Sequence, residues 1–120
     1  MSGRRLCFVD EVGGALAALG AGVAHALGHA DALATTTVTP GPLPAEVRTV
    51  LAEIGGQPAD IEPLSTVPLE GVEHVRLGRG AAGGDIWLYE GEGDLERLSA
   101  ARIARDRIER RLDPRAVSHR

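Results

Sequence analysis

The chain has 120 residues and a formal net charge of −4. That length suits one core and no second domain, and the charge gives no basic footprint for nucleic acid or an anionic membrane. Only Phe8, Trp87 and Tyr89 are aromatic, which argues against base stacking, and the single cysteine, Cys7, rules out an intrachain disulfide or a cysteine-built metal cage. The first apolar run is too short for a signal peptide, and the Ala/Gly-rich stretch over 13–27 is too short and too weakly apolar to span a bilayer. A cytoplasmic location is expected.

In chain order, residues 4–9 read as a buried strand, because Leu6, Cys7, Phe8 and Val9 form a continuous apolar run. Asp10 ends it, Gly13 and Gly14 make a turn, and an Ala-rich helix is predicted to about Leu27, with Gly28 as its stop. Residues 32–38 form a second strand candidate carrying Thr35, Thr36 and Thr37 in succession. After a proline-containing loop, Pro44 opens a helix whose Val47, Val50, Leu51 and Ile54 keep one buried face. Residues 57–69 are proline-rich and irregular. Residues 72–77 alternate as a strand with a wetter face, and 85–89 make a short final strand candidate. Asp94 caps a closing helix with an inner stripe of Leu95, Leu98, Ala101, Ala104, Ile108 and Leu112. Asp113–Pro114 stops that helix, so the single domain is expected over 1–113, with a loose tail at 114–120. Alternating strands and helices predict a doubly wound α/β fold: a short, mostly parallel sheet of three to four strands, helices on both faces, and the first strand central.

The strand through Val9, the helix that follows it, the segment 35–42, the stretch Glu46-Val47-Arg48-Thr49-Val50-Leu51-Ala52-Glu53-Ile54-Gly55 and the closing helix over 104–112 together resemble low-molecular-weight tyrosine phosphatases and thiol-coupled arsenate reductases. The resemblance implies their phosphatase-I-like fold. It also implies a thiolate at the strand end, an Arg six residues later and a late Asp-Pro acid. At the matching positions this chain has Asp10 for the nucleophile, Leu16 for the Arg and Ala17 for the hydroxyl residue after it, and the late loop reads Ile86-Trp87-Leu88-Tyr89. Cys7 lies three residues early, inside the strand, where burial is expected to raise its pKa. The expectation is therefore a non-catalytic phosphatase-like domain, lacking phosphatase and arsenate reductase activity, with no catalytic residue and no cofactor.

Asp10 and Glu11 put two carboxylates at a helix N-terminus, where they satisfy its dipole and oppose an incoming oxyanion. Asp10, Glu11, Gly13 and Gly14 are the candidate binding residues of that loop. The alternative is a repurposed enzyme, or a small-molecule or nucleotide binder, working through Asp10 and Glu11. Trp87 and Tyr89, flanked by Gly-rich loops, form a candidate patch for a protein partner or a homodimer. His25 and His29 read as polar caps of a helix end rather than metal ligands, and no metal site is expected. Gly20-Ala21-Gly22 lies within a helix and reads as a close helix contact, not a dinucleotide fingerprint. The Arg residues of the closing helix read as a solvated face.

Overall fold

The computed structural model describes residues 5–11, 13–67, 71–77 and 98–112. Three strands, β1 (Arg5–Asp10), β2 (Leu33–Thr36) and β3 (Val72–Arg76), form a parallel sheet in the order β2-β1-β3. The first strand is central, as its unbroken apolar run requires. Val9 faces Thr35 on one side and Arg76 on the other. Alternate residues serve opposite faces. Phe8, with Val75, Leu77 and Ala34, joins the main core, whereas Cys7 and Val9 join a smaller cluster with Val67 and Val72.

Three helices follow the predicted positions: α1 (Ala15–Ala26), α2 (Ala45–Ala52) and α3 (Leu98–Leu112). α1 lies on β1 and β2 and touches both other helices, and α2 and α3 pack on each other. Ala101, Ala104 and Ile108 of the predicted inner stripe are fully buried, while Leu98 is more than a third exposed at the start of α3. The expected cap Asp94, the stripe residue Leu95, the strand candidate over 85–89 and the tail 114–120 lie outside the described residues. Among the described residues, no helix is long and apolar enough to cross a membrane.

Small residues let the layers approach. A methyl group on Gly20 would meet Phe8 Cδ1 at 2.6 Å and Leu77 Cδ1 at 2.9 Å. One on Gly22 would meet the Gln57 carbonyl oxygen at 2.7 Å. The close-contact reading of these glycines therefore holds. The proline-rich stretch holds more order than its composition suggested. Ile61 bridges Ala34 in parallel, the Glu62 N–H donates to Ala34 O at 2.8 Å, and Thr35 Oγ1 donates to Glu62 O at 2.7 Å. This short extended piece lies along the outer edge of β2, and a 3₁₀ turn over Leu64–Thr66 follows it.

Arg102, Arg107, Arg110 and Arg111 of α3 are exposed, as a solvated face requires, and Arg105 departs from it. Arg105 is 7% exposed; its Nη1 donates to Val50 O at 2.9 Å and to Glu53 Oε1. Val50 O lies in the last turn of α2, where the N–H of Ile54 bonds back to Leu51 instead. The guanidinium thus satisfies a carbonyl that the helix end leaves over. Arg102 grips the same Glu53 with Nε at 3.1 Å from Oε1 and Nη2 at 2.6 Å from Oε2. Hydrogen bonds first from Arg102 and then from Arg105 hold the Glu53 carboxyl down at about 2.

Two outcomes follow from this packing. Gly20→Ala and Gly22→Ala should each lower stability by about 1–3 kcal/mol in urea unfolding, overpacking outweighing the ~1 kcal/mol that alanine adds to a helix. A midpoint unchanged or raised in both variants would contradict the close approach. Because the Glu53 carboxyl titrates lower folded than unfolded, its contribution is present above the usual carboxylate range and is lost as pH falls toward 2. Glu53→Gln should therefore destabilise at pH 7 and match the parent near pH 2. An identical pH profile for the two proteins would remove the lock between α2 and α3.

Candidate functional site

The site forms where β1 runs into α1. Asp10, the last residue of β1, is fully buried, and its carboxylate turns into the loop rather than toward solvent. Oδ1 accepts the Gly14 N–H at 2.9 Å, and Oδ2 accepts the Ala17 N–H at 2.9 Å. Gly14 is the N-cap of α1 and Ala17 lies in its first turn, so these donors belong to the set a helix start leaves unsatisfied. An acid reaching back from the preceding strand thus caps the helix and meets the positive end of its dipole. Gly13 and Gly14 have φ of 93° and 103°, the left-handed region that glycine enters without strain. Gly14 also has Ile61 against it: a methyl group there would come within 2.9 Å of the isoleucine side chain.

A threonine pair completes the loop. Thr36 Oγ1 donates to the Asp10 carbonyl at 3.2 Å and accepts the N–H groups of Gly13 at 3.3 Å and Val38 at 3.4 Å. These contacts use the one donor and two lone pairs of a hydroxyl. Thr37 donates its N–H at 2.9 Å and its Oγ1 at 3.3 Å to the same carbonyl. On the far side, Gly41 N–H donates to Gly13 O at 2.8 Å, so the segment after β2 is tied to the loop as well. Thr36, Thr37, Ile61 and Gly41 were not singled out as site residues from sequence. Thr36 reaches the loop because the parallel register sets it level with Asp10, the last residue of β1.

The candidate residues separate clearly. Asp10, Gly13 and Gly14 come together, and Leu16 and Ala17, the positions of the implied Arg and hydroxyl residue, are buried in α1. Glu11 is exposed, so Asp10 performs the capping that the sequence shared between the two acids. Trp87 and Tyr89 lie outside the described residues. Cys7 is fully buried, and desolvation pushes its thiol up to about 11 despite the opposing effect of Arg5. The raised value expected from its place inside the strand is what the structure gives. His25 Nε2 lies 2.8 Å from Ala32 O, which engages the ring at the end of α1. Among the described residues, no group of three or more His, Cys, Asp or Glu side chains could hold a metal ion.

No protein-family model matches the chain, and no curated protein matches it in sequence. Solved structures do match in shape. An arsenate reductase in the phosphate-binding state superposes with a TM-score of 0.75 at 15% identity, over 96% of this chain and 98% of that one. An arsenate reductase in the reduced state gives 0.65 at 13%, over 98% and 99%. The arsenate reductase of Archaeoglobus fulgidus gives 0.64 at 12%, over 90% and 98%. The chain has the arsenate reductase fold, and the resemblance read from its sequence stands at that level. The expectation that the chain is no enzyme, lacking phosphatase and arsenate reductase activity, is corrected by the same finding: each of these neighbours is an arsenate reductase. The weight given to the replaced positions Asp10, Leu16 and Ala17 treated one chemistry as the only one the scaffold supports.

The geometry makes a specific demand on anions. Inorganic phosphate reaches the Gly14 and Ala17 N–H groups only by displacing the Asp10 carboxylate, and like charges resist that approach. Phosphate titrated into ¹⁵N-labelled protein should bind this loop no tighter than roughly millimolar, and Asp10→Ser should tighten it about tenfold or more. Micromolar binding to the wild-type loop would show that the carboxylate does not close it.

Proposed function

We propose that this chain is a remodelled enzyme on the arsenate reductase fold, one that acts through the loop 10–17 with the Asp10 carboxylate as its central group and Glu11 beside it in solvent. The observation that carries this reading is the seat of Asp10. It ends the central strand, fully buried, with both oxygens bonded to backbone N–H groups at the start of α1. A parallel α/β sheet offers its ligand site at the carboxyl ends of its strands, and Asp10 lies at that end of β1. The neighbours of known activity share the fold over nearly the whole chain, which supports a catalytic role.

The residues at the loop define what a ligand would meet. Asp10 and Glu11 favour a group that brings hydrogen-bond donors or positive charge, and an oxyanion enters by exchange with the Asp10 side chain. Leu16 and Ala17 contribute apolar packing and a backbone N–H rather than side-chain charge. Thr36 and Thr37 hold the Asp10 carbonyl, so a ligand that draws the carboxylate out leaves the strand end in place.

The test is turnover by purified wild type, Asp10→Ala, Asp10→Asn and Cys7→Ser on arsenate with a thiol reductant and on an aryl phosphate, with helical content checked for each. Turnover should fall about tenfold or more in both Asp10 variants, as for loss of a group that handles a proton or charge, and should persist in Cys7→Ser. Turnover unaffected by Asp10 but abolished in Cys7→Ser would move the chemistry to the thiol and overturn this reading.

A further inference from the structure

Away from the loop, between the C-terminal end of α1, the start of α2 and the edge segment beside β2, lies an open cleft of about 550 Å³ lined by His25, Leu43, Arg48, Pro58, Asp60 and Ile61, among others. That volume suits a small molecule. Its lining is mostly polar, with Leu43, Pro58 and Ile61 adding apolar side chains, and its charged groups are opposite in sign. Arg48 and Asp60 are both exposed, and neither makes an ion pair with another described residue. Arg102 and Arg105, by contrast, are committed to Glu53 and Asp106. The cleft continues past His25 and Asp60 into a second hollow of about 230 Å³, whose wall includes Asp31, Glu62 and Arg5. Arg5 Nε donates to the Asp31 carbonyl there. Asp31, Asp60 and Glu62 against the one guanidinium of Arg5 leave the second hollow acidic, while Arg48 lines only the larger cleft.

We propose that this groove binds a small zwitterion, with its anionic head at Arg48, its cationic end toward Asp60 and the neighbouring acids, and an aliphatic body on Leu43 and Ile61. The arrangement puts opposite charges on one cleft beside a few apolar side chains, which matches a molecule of complementary polarity and gives a singly charged one only half of the ionic contacts. The proposal is independent of the reading of loop 10–17, although Ile61 links the two places physically, since its side chain also lies against Gly14.

The experiment uses 6-aminohexanoate as the zwitterion, with hexanoate and hexylamine as its singly charged counterparts, each titrated into the ¹⁵N-labelled full chain. 6-Aminohexanoate should shift the amides of Arg48, Gln57, Ala59 and Asp60 saturably, and either single-charge analogue should bind roughly fivefold or more weakly. Arg48→Ala and Asp60→Ala, both at exposed positions that the core does not use, should each weaken 6-aminohexanoate by a similar factor while leaving the phosphate titration of the loop unchanged. Equal binding of all three compounds, shifts confined to other surfaces, no saturable binding of the zwitterion, or indifference to both substitutions would each overturn the proposal.

Discussion

A strand-end carboxylate hydrogen-bonded to the first turn of the next helix organises this molecule. Asp10 is buried where a bare carboxylate would be costly, and the N–H groups of Gly14 and Ala17 are donors that the start of α1 would otherwise leave unpaired. Each partner removes the other's penalty, which fixes the angle between β1 and α1. The loop then needs two consecutive glycines at positive φ, and the Asp10 carbonyl needs donors from the neighbouring strand, which Thr36 and Thr37 supply. The charge at the loop is part of the same constraint: a site built around an internal carboxylate selects its ligands differently from one that leaves its backbone donors open.

A second lock lies at the C-terminal end of α2. Glu53 collects Arg102 and Arg105 from a helix forty-nine and more residues away, and Arg105 also serves the Val50 carbonyl. With aromatics at 2% of the chain, helix packing relies on alanine and glycine contacts and on this polar clamp. Close approach at Gly20 and Gly22 supplies the density that larger side chains would give elsewhere.

Much of this was legible in the sequence because the periodic signals are strong. The run from Leu6 to Val9 marked the central strand, and Val47, Val50 and Leu51 marked the buried face of α2, since continuous burial and the 3.6-residue repeat leave few alternatives. Cys7 was read as an inert strand thiol, and it is buried with a raised pKa. The extended pairing of Ile61 with Ala34 was not legible, because prolines around it mask a strand-edge contact that needs only a few backbone bonds. Arg105 was placed on a wet face because charge alone does not tell a solvated guanidinium from one that completes a helix end. At the site, Asp10 was identified from its place at the strand end, but the threonine hydroxyls beneath it depend on the register between β1 and β2, which no local pattern carries. Catalytic inactivity was inferred from replaced positions. That step failed because the absence of one nucleophile describes a single mechanism, whereas the fold is the arsenate reductase one.

The central claim is that the Asp10 carboxylate itself occupies the backbone donors at the start of α1. The most direct measurement is the scalar coupling transmitted through those hydrogen bonds, from the amide nitrogens of Gly14 and Ala17 to the Asp10 side-chain carboxyl carbon, in isotopically labelled protein. The account predicts a resolved coupling at both amides, lost together in Asp10→Ala. Couplings absent at both positions, with the two amides exchanging freely with water in the wild type, would contradict it.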